Sequence, residues 1–117
     1  MRLLRILFIS SLFFSTSIFA EEYSKSQLIG NWSGQMGDYE SSISFDESGT
    51  YTSTIVIMRR KMPATGKWSI KDGSIMLTKD GSNKAKARKI TKLTKDSLET
   101  SHSDANGSEV KSTYVRK

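Results

Sequence analysis

From Ile43 to Tyr114 the apolar side chains of this 117-residue chain recur at every second position in short runs, and turn signals separate the runs. Such alternation sets one face of a strand against a core and leaves the other in solvent, whereas a helix needs apolar spacings of three and four. Ile43 and Phe45 alternate with serines and end at Asp46-Glu47-Ser48-Gly49, with glycine where a positive φ is wanted. Thr50 to Met58 is almost wholly β-branched or aromatic, with Tyr51, Ser53, Ile55 and Ile57 on one face. Gly66, Trp68 and Ile70 share the next inward face, Asp72-Gly73 is the strongest hairpin signal, and Ile75 and Leu77 resume the alternation. Asp104-Ala105-Asn106-Gly107 makes the last turn, before Val110, Ser112 and Tyr114 on a final strand.

One stretch supports two readings. Lys84 to Leu98 would suit a basic amphipathic helix, with Ala87, Ile90, Thr94 and Leu98 near helical spacing. The alternation of Lys84-Ala85-Lys86-Ala87-Arg88, the threonines and the turn-like Lys95-Asp96 favour two strands instead. With two strands here the count is eight in a meander, preceded by a short helical turn between Tyr23 and Leu28 that Ser24 or Ser26 can cap. The expected fold is all-β, a small eight-stranded up-and-down antiparallel barrel. Leu28-Ile29-Gly30-Asn31-Trp32 opens it, where glycine admits a close backbone approach and the large indole can plug one end.

Ahead of this region lie Arg2 and Arg5, then an apolar run from Ile6 to Ala20 broken only by serines and a threonine. A basic start, an apolar stretch shorter than the roughly 20 residues of a membrane span, and a small final residue describe a secretory signal peptide. Cleavage is expected near Ala20, leaving one domain over 21–117 in the periplasm or outside the cell. The chain has no cysteine, so neither disulfides nor a lipid-bearing cysteine at the cut enter the expectation, and no stable membrane anchor is expected. Without Arg2 and Arg5 the domain holds 16 basic and 12 acidic residues, a bias of about +4 toward anionic partners.

The motifs Leu28-x-Gly30-x-Trp32, Phe45-x-x-x-Gly49-x-Tyr51, Gly66-x-Trp68-x-Ile70-x-Asp72-Gly73-x-Ile75-x-Leu77 and Ile90-x-x-Leu93-x-x-Asp96-x-Leu98 together cover nearly all of the exported part. In their order and spacing the chain resembles the small bacterial lipocalin-like domains of the calycin type. The resemblance implies a barrel that encloses a small apolar ligand or nothing. It also implies a structural signature of Gly30, Trp32 and Arg116, because the last strand of a closed meander returns beside the first and brings Arg116 toward Trp32.

Catalysis finds little to work with. There is one histidine, His102, no cysteine, and no serine in a Gly-x-Ser-x-Gly elbow, so no enzyme activity is expected. His102 with Asp104 makes no closed metal site, the aspartates fall at turns where they bond backbone, and neither a metal nor a cofactor is expected. Nucleic acid is not an expected partner, since no exposed aromatic platform interleaves the cations.

The candidate ligand-binding residues are Phe45, Tyr51, Trp68 and Tyr114, which either line a cavity or fill the barrel as its core, together with Arg59, Arg60, Lys61 and Arg88. Arg59, Arg60 and Lys61 fall on an expected long connection over 58–64, at the end opposite Trp32. If Ile90 faces inward, alternation turns Lys86 and Arg88 inward too; if Leu93 does, Lys89 takes that role. Either register sets a cation at the lumen, where it would suit a carboxylate or phosphate head above an apolar tail. The expected function is therefore an exported, non-enzymatic binding protein for a small amphiphilic or anionic molecule. The alternative is a protein-binding module of the cell envelope, such as an inhibitor or immunity-type factor.

Overall fold

The computed structural model describes residues 23–117. The leader expected over Met1 to Ala20, and the cut after it, lie outside those residues. Within them the chain runs through a single helical turn, α1 (Lys25–Leu28), and eight strands: β1 (Gly30–Met36), β2 (Tyr39–Phe45), β3 (Thr50–Ile57), β4 (Arg60–Lys71), β5 (Ser74–Lys79), β6 (Lys86–Leu93), β7 (Ser97–Ser103) and β8 (Glu109–Arg116). Each strand pairs antiparallel with the next, and β8 closes on β1 through the register Trp32↔Arg116 to Met36↔Ser112. The all-β, eight-stranded up-and-down antiparallel barrel expected from alternation is the architecture observed. Lys84 to Leu98 supplies the two strands β6 and β7 and no helix.

A bulge reconciles the two registers available to β6. Pairing with β7 slips between Ile90 and Lys92, so Ile90 is buried, and Leu93, three residues on, also packs against the core. Arg88 then shares the inward face with Ile90, while Lys89 is exposed.

The closed end is built first in sequence. Ser24 donates its backbone N–H to the Gln27 side chain at 2.8 Å, which holds the turn of α1. Leu28 and Trp32 are fully buried, and the Trp32 indole donates to the Leu28 carbonyl at 2.9 Å. The Arg116 guanidinium lies over the Trp32 ring, 4.2 Å from its centroid, and donates to the carbonyls of Ile29, Gln27 and Lys95 at 2.7 Å each. Trp68 sits in the same layer, 4.9 Å from Phe45, with its indole N–H on the Asp46 carbonyl and the Lys25 ammonium over its ring. Asp46 shapes the β2–β3 turn: its carboxylate accepts from the Ser48 hydroxyl and from the amides of Ser48 and Thr50, and these bonds, the Ser48 hydroxyl foremost, hold its pKa below the ordinary value.

Connections alternate between the two ends, as an up-and-down barrel requires. Those near Trp32 are 46–49, 72–73 and 94–96; those opposite are 37–38, 58–59, 80–85 and 104–108. The long connection expected over 58–64 is instead the two-residue turn Met58-Arg59, both at positive φ, 52° and 67°. That geometry is the mirror-type hairpin turn, which matches strand twist but ordinarily takes Asn-Gly. The chain from Arg60 to Ala64 continues as strand, paired with β3 from Ile57↔Arg60 to Ser53↔Ala64.

Candidate functional site

Inward alternation stacks the barrel interior in layers. Trp32 and Ile43, Phe45 and Tyr51, Trp68 and Leu77, and Leu98 and Tyr114 pair across neighbouring strands, with Ile75 near the 72–73 turn, all buried. A band of small polar residues follows: Ser41 and Tyr114 share a hydrogen bond of 3.1 Å, and Thr100 pairs across the β7–β8 ladder with Ser112. Both of those hydroxyls are buried with no hydrogen-bond partner among the described residues. The space among the lumen side chains is about 10 Å³, room for one water at most. Phe45, Tyr51, Trp68 and Tyr114 are thus packed as core.

Above this filled lumen the mouth opens into a cavity of about 730 Å³, walled by Met36, Ile55, Lys86, Arg88, His102 and residues 103–105. Arg88 belongs to both spaces: it roofs the lumen and floors the mouth. It is half-buried and makes no hydrogen bond or ion pair among the described residues, where the sole salt bridge is Lys92–Glu99 on the outer surface. A guanidinium carries five donors in a planar fork, so one left unpartnered beside an open cavity is a ready acceptor site for a carboxylate or phosphate.

His102 faces the same space from β7, two residues beyond Thr100, and its Nδ1 is buried without a partner. Burial holds its pKa below the ordinary value, the Arg88 and Lys86 charges push the same way, and Asp104 opposes them. Burial also pushes the Tyr51 hydroxyl up, partly offset by Arg88. The mouth therefore carries two cations, Lys86 and Arg88, beside an imidazole held toward its neutral form. His102 and Asp104 have no third ligand-type side chain converging on them among the described residues.

The other cations of the expected site lie elsewhere. Arg59 is at the exposed turn, Arg60 follows it on β4, and Lys61 points outward into a groove of about 290 Å³ with Glu40, Thr54 and Val56. None of the three lines the mouth cavity. Arg88 and the site join through the Ile90 register, but His102 escapes a sequence search for metal spacing. Its period-two relation to Leu98 and Thr100 is the signal that finds it.

No protein-family model and no curated protein matches the sequence. Solved structures do match the fold. A lipocalin-like protein from Bacteroides uniformis superposes with a TM-score of 0.58 at 15% identity, covering 78% of this chain and 99% of that one. A protein from Bacteroides thetaiotaomicron reaches 0.60 at 18% identity, covering 86% and 99%. Bovine odorant binding protein, solved in complex with a selenium-containing odorant, reaches 0.50 at 17% identity, covering 87% and 78%. The class that the barrel and these neighbours define is the lipocalin-like fold.

Proposed function

We propose that this chain is an exported, non-enzymatic lipocalin-like binding protein for a small anionic amphiphile, held in the mouth and not in the lumen. The observation that carries the reading is Arg88, an unpartnered, half-buried guanidinium at the floor of the mouth cavity. A carboxylate or phosphate pairs with it in a charge-assisted hydrogen bond, with His102 as second donor. The apolar part of the ligand lies against Met36 and Ile55, since the packed lumen below admits no tail. The cavity falls within the roughly 300–1,000 Å³ usual for small-molecule sites.

Titration with a fluorescent fatty acid tests this. The parent is expected to bind with salt-sensitive affinity, and Arg88→Met to bind about 10- to 100-fold more weakly, as for loss of a hydrogen bond to a charged group. A neutral alcohol of the same length should not distinguish the two proteins. Seating an anion beside His102 raises its pKa from a free value that burial holds below the ordinary 6.5, so binding takes up a proton and affinity increases as pH falls through the bound value toward the free one. Equal fatty-acid affinity in parent and Arg88→Met removes the mouth as the site. No binding of any amphiphile by the parent turns the assignment to an envelope protein partner.

Export is part of the same proposal, supported by the basic start and short apolar run of residues 2–20. Intact-mass measurement on protein from the exported fraction should give a chain starting at Glu21 or within a few residues of it. Recovery of the chain from Met1 in that fraction would exclude processing.

A further inference from the structure

The β3–β4 hairpin outruns its neighbours. Pairing of β5 with β4 ends at Gly66↔Lys79, and beyond it Arg60–Ala64 has β3 alone as a ladder partner. At about 3.3 Å per residue, those five residues carry the turn roughly 16 Å past the end of β5, at the rim of the mouth.

Three properties of the projecting tip coincide. Met58, at its apex, is 89% exposed, the most exposed of the large hydrophobic residues, and Met62 on the mouth-facing side is 52% exposed. Arg59, Arg60 and Lys61 follow Met58 without a break, and from Ser48 to Lys71 the chain has five cations and no acidic residue. Finally, Met58 and Arg59 occupy the positive-φ positions of a turn for which Asn-Gly is the unstrained choice. A methionine and an arginine held there cost stability and present an apolar side chain beside a block of positive charge.

We infer that this tip docks the barrel, mouth first, on an anionic lipid surface, Met58 entering the headgroup layer while Arg59, Arg60 and Lys61 meet the phosphates. Charge complementarity selects the occupant: a basic tip with one apolar prong suits an anionic bilayer. A protein strand adding to the free edge of β4 is disfavoured, because Pro63 offers no N–H there and the flanking cations repel edge pairing. The contact is peripheral and reversible. Among the described residues no helix is long and apolar enough to cross a membrane.

Co-sedimentation of the barrel domain, from Glu21 onward, with phosphatidylglycerol/phosphatidylcholine vesicles tests the inference; the described residues contain every strand of the closed sheet and its core. The parent should partition to these vesicles at low salt, be released at high salt, and ignore pure phosphatidylcholine. Changing Arg59, Arg60 and Lys61 to serine should weaken binding roughly a hundredfold, about fivefold per cation. A matched triple, Lys89, Lys92 and Lys95 to serine, alters net charge equally at exposed positions on β6 and the turn after it, and should cost a few-fold at most. Met58→Asn with Arg59→Gly gives a readout that a structural role does not: the melting temperature should rise while vesicle binding falls. Arg59, Arg60 and Lys61 do not line the mouth cavity, so their serine triple should still bind the fluorescent fatty acid as the parent does, and this inference and the mouth assignment fail independently. Equal losses from the two triples, or no vesicle binding by the parent, would overturn the docking tip.

Discussion

Trp32→Ala should leave the domain unfolded or barely folded at room temperature. Truncating a fully buried aromatic costs about 3–5 kcal/mol, and a small domain holds only about 5–15 kcal/mol in all. Loss of the indole also strips the Leu28 carbonyl of its donor and takes away the surface on which Arg116 lies. Arg116→Ala is the informative partner. It removes a cation–π contact worth about 0.5–2 kcal/mol and the donors on three carbonyls that water can in part replace. A fall of about 5–15 °C in the melting temperature follows for a domain of this size. Arg116→Lys keeps the charge but cannot reach three carbonyls at once, and should recover only part of the loss. Differential scanning calorimetry on the three variants separates the contributions. A neutral Arg116→Ala beside an unfolded Trp32→Ala would mean that the plug alone secures this end.

The strand plan is legible in the sequence because each run alternates around an inward apolar face, and because Asp46-Gly49, Asp72-Gly73 and Asp104-Gly107 carry glycine where the backbone needs positive φ. The turn at Met58-Arg59 is hidden for the converse reason. Neither residue advertises a left-handed conformation, and Pro63 five residues on argues against strand, so sequence reasoning opens the chain into a loop where the structure keeps a ladder. Pro63 is tolerated because that side of β4 has no neighbour. The displacement of Arg59, Arg60 and Lys61 from the mouth follows directly from this one turn.

The site itself is half legible. Arg88 is reached by counting back from Ile90 in twos, but the sequence offers Leu93 as an equally good anchor, and only the bulge between Ile90 and Lys92 lets both be inward. Thr100 and Ser112 are polar at inward positions, which breaks the apolar pattern that marks a core face. They belong to a level where the barrel changes from packed hydrocarbon to the polar floor of the mouth. Whether the aromatics line a cavity or fill the lumen depends on packing to within one methyl group, which alternation does not encode.

The second large effect is expected at two glycines that alternation alone does not single out as essential. An added Cβ at Gly34 would stand 1.8 Å from the Thr113 carbonyl oxygen and 2.9 Å from the Tyr114 Cα; one at Gly66 would stand 2.1 Å from the Thr78 oxygen and 2.8 Å from Tyr51 Cε1. Neither position has a positive φ, so the objection is close approach of backbone, not conformational strain. Gly34 lies on the β1–β8 seam, opposite Tyr114, and relief there means parting the ladder that closes the barrel. Gly66 lies where β4 parts from β5, and relief there means displacing the Tyr51 ring from the core. Gly34→Ala and Gly66→Ala should each destabilise by about 3 kcal/mol or more, in the range of severe core lesions, with Gly34 the worse of the two. Gly107→Ala is the control: its Cβ meets nothing within 4 Å, and only the positive φ of 82° opposes it, at about 1–2 kcal/mol. Urea denaturation of the three variants gives the order directly. If Gly34→Ala proves as stable as Gly107→Ala, the seam has slack, and closure of the barrel does not depend on the bare backbone of β1.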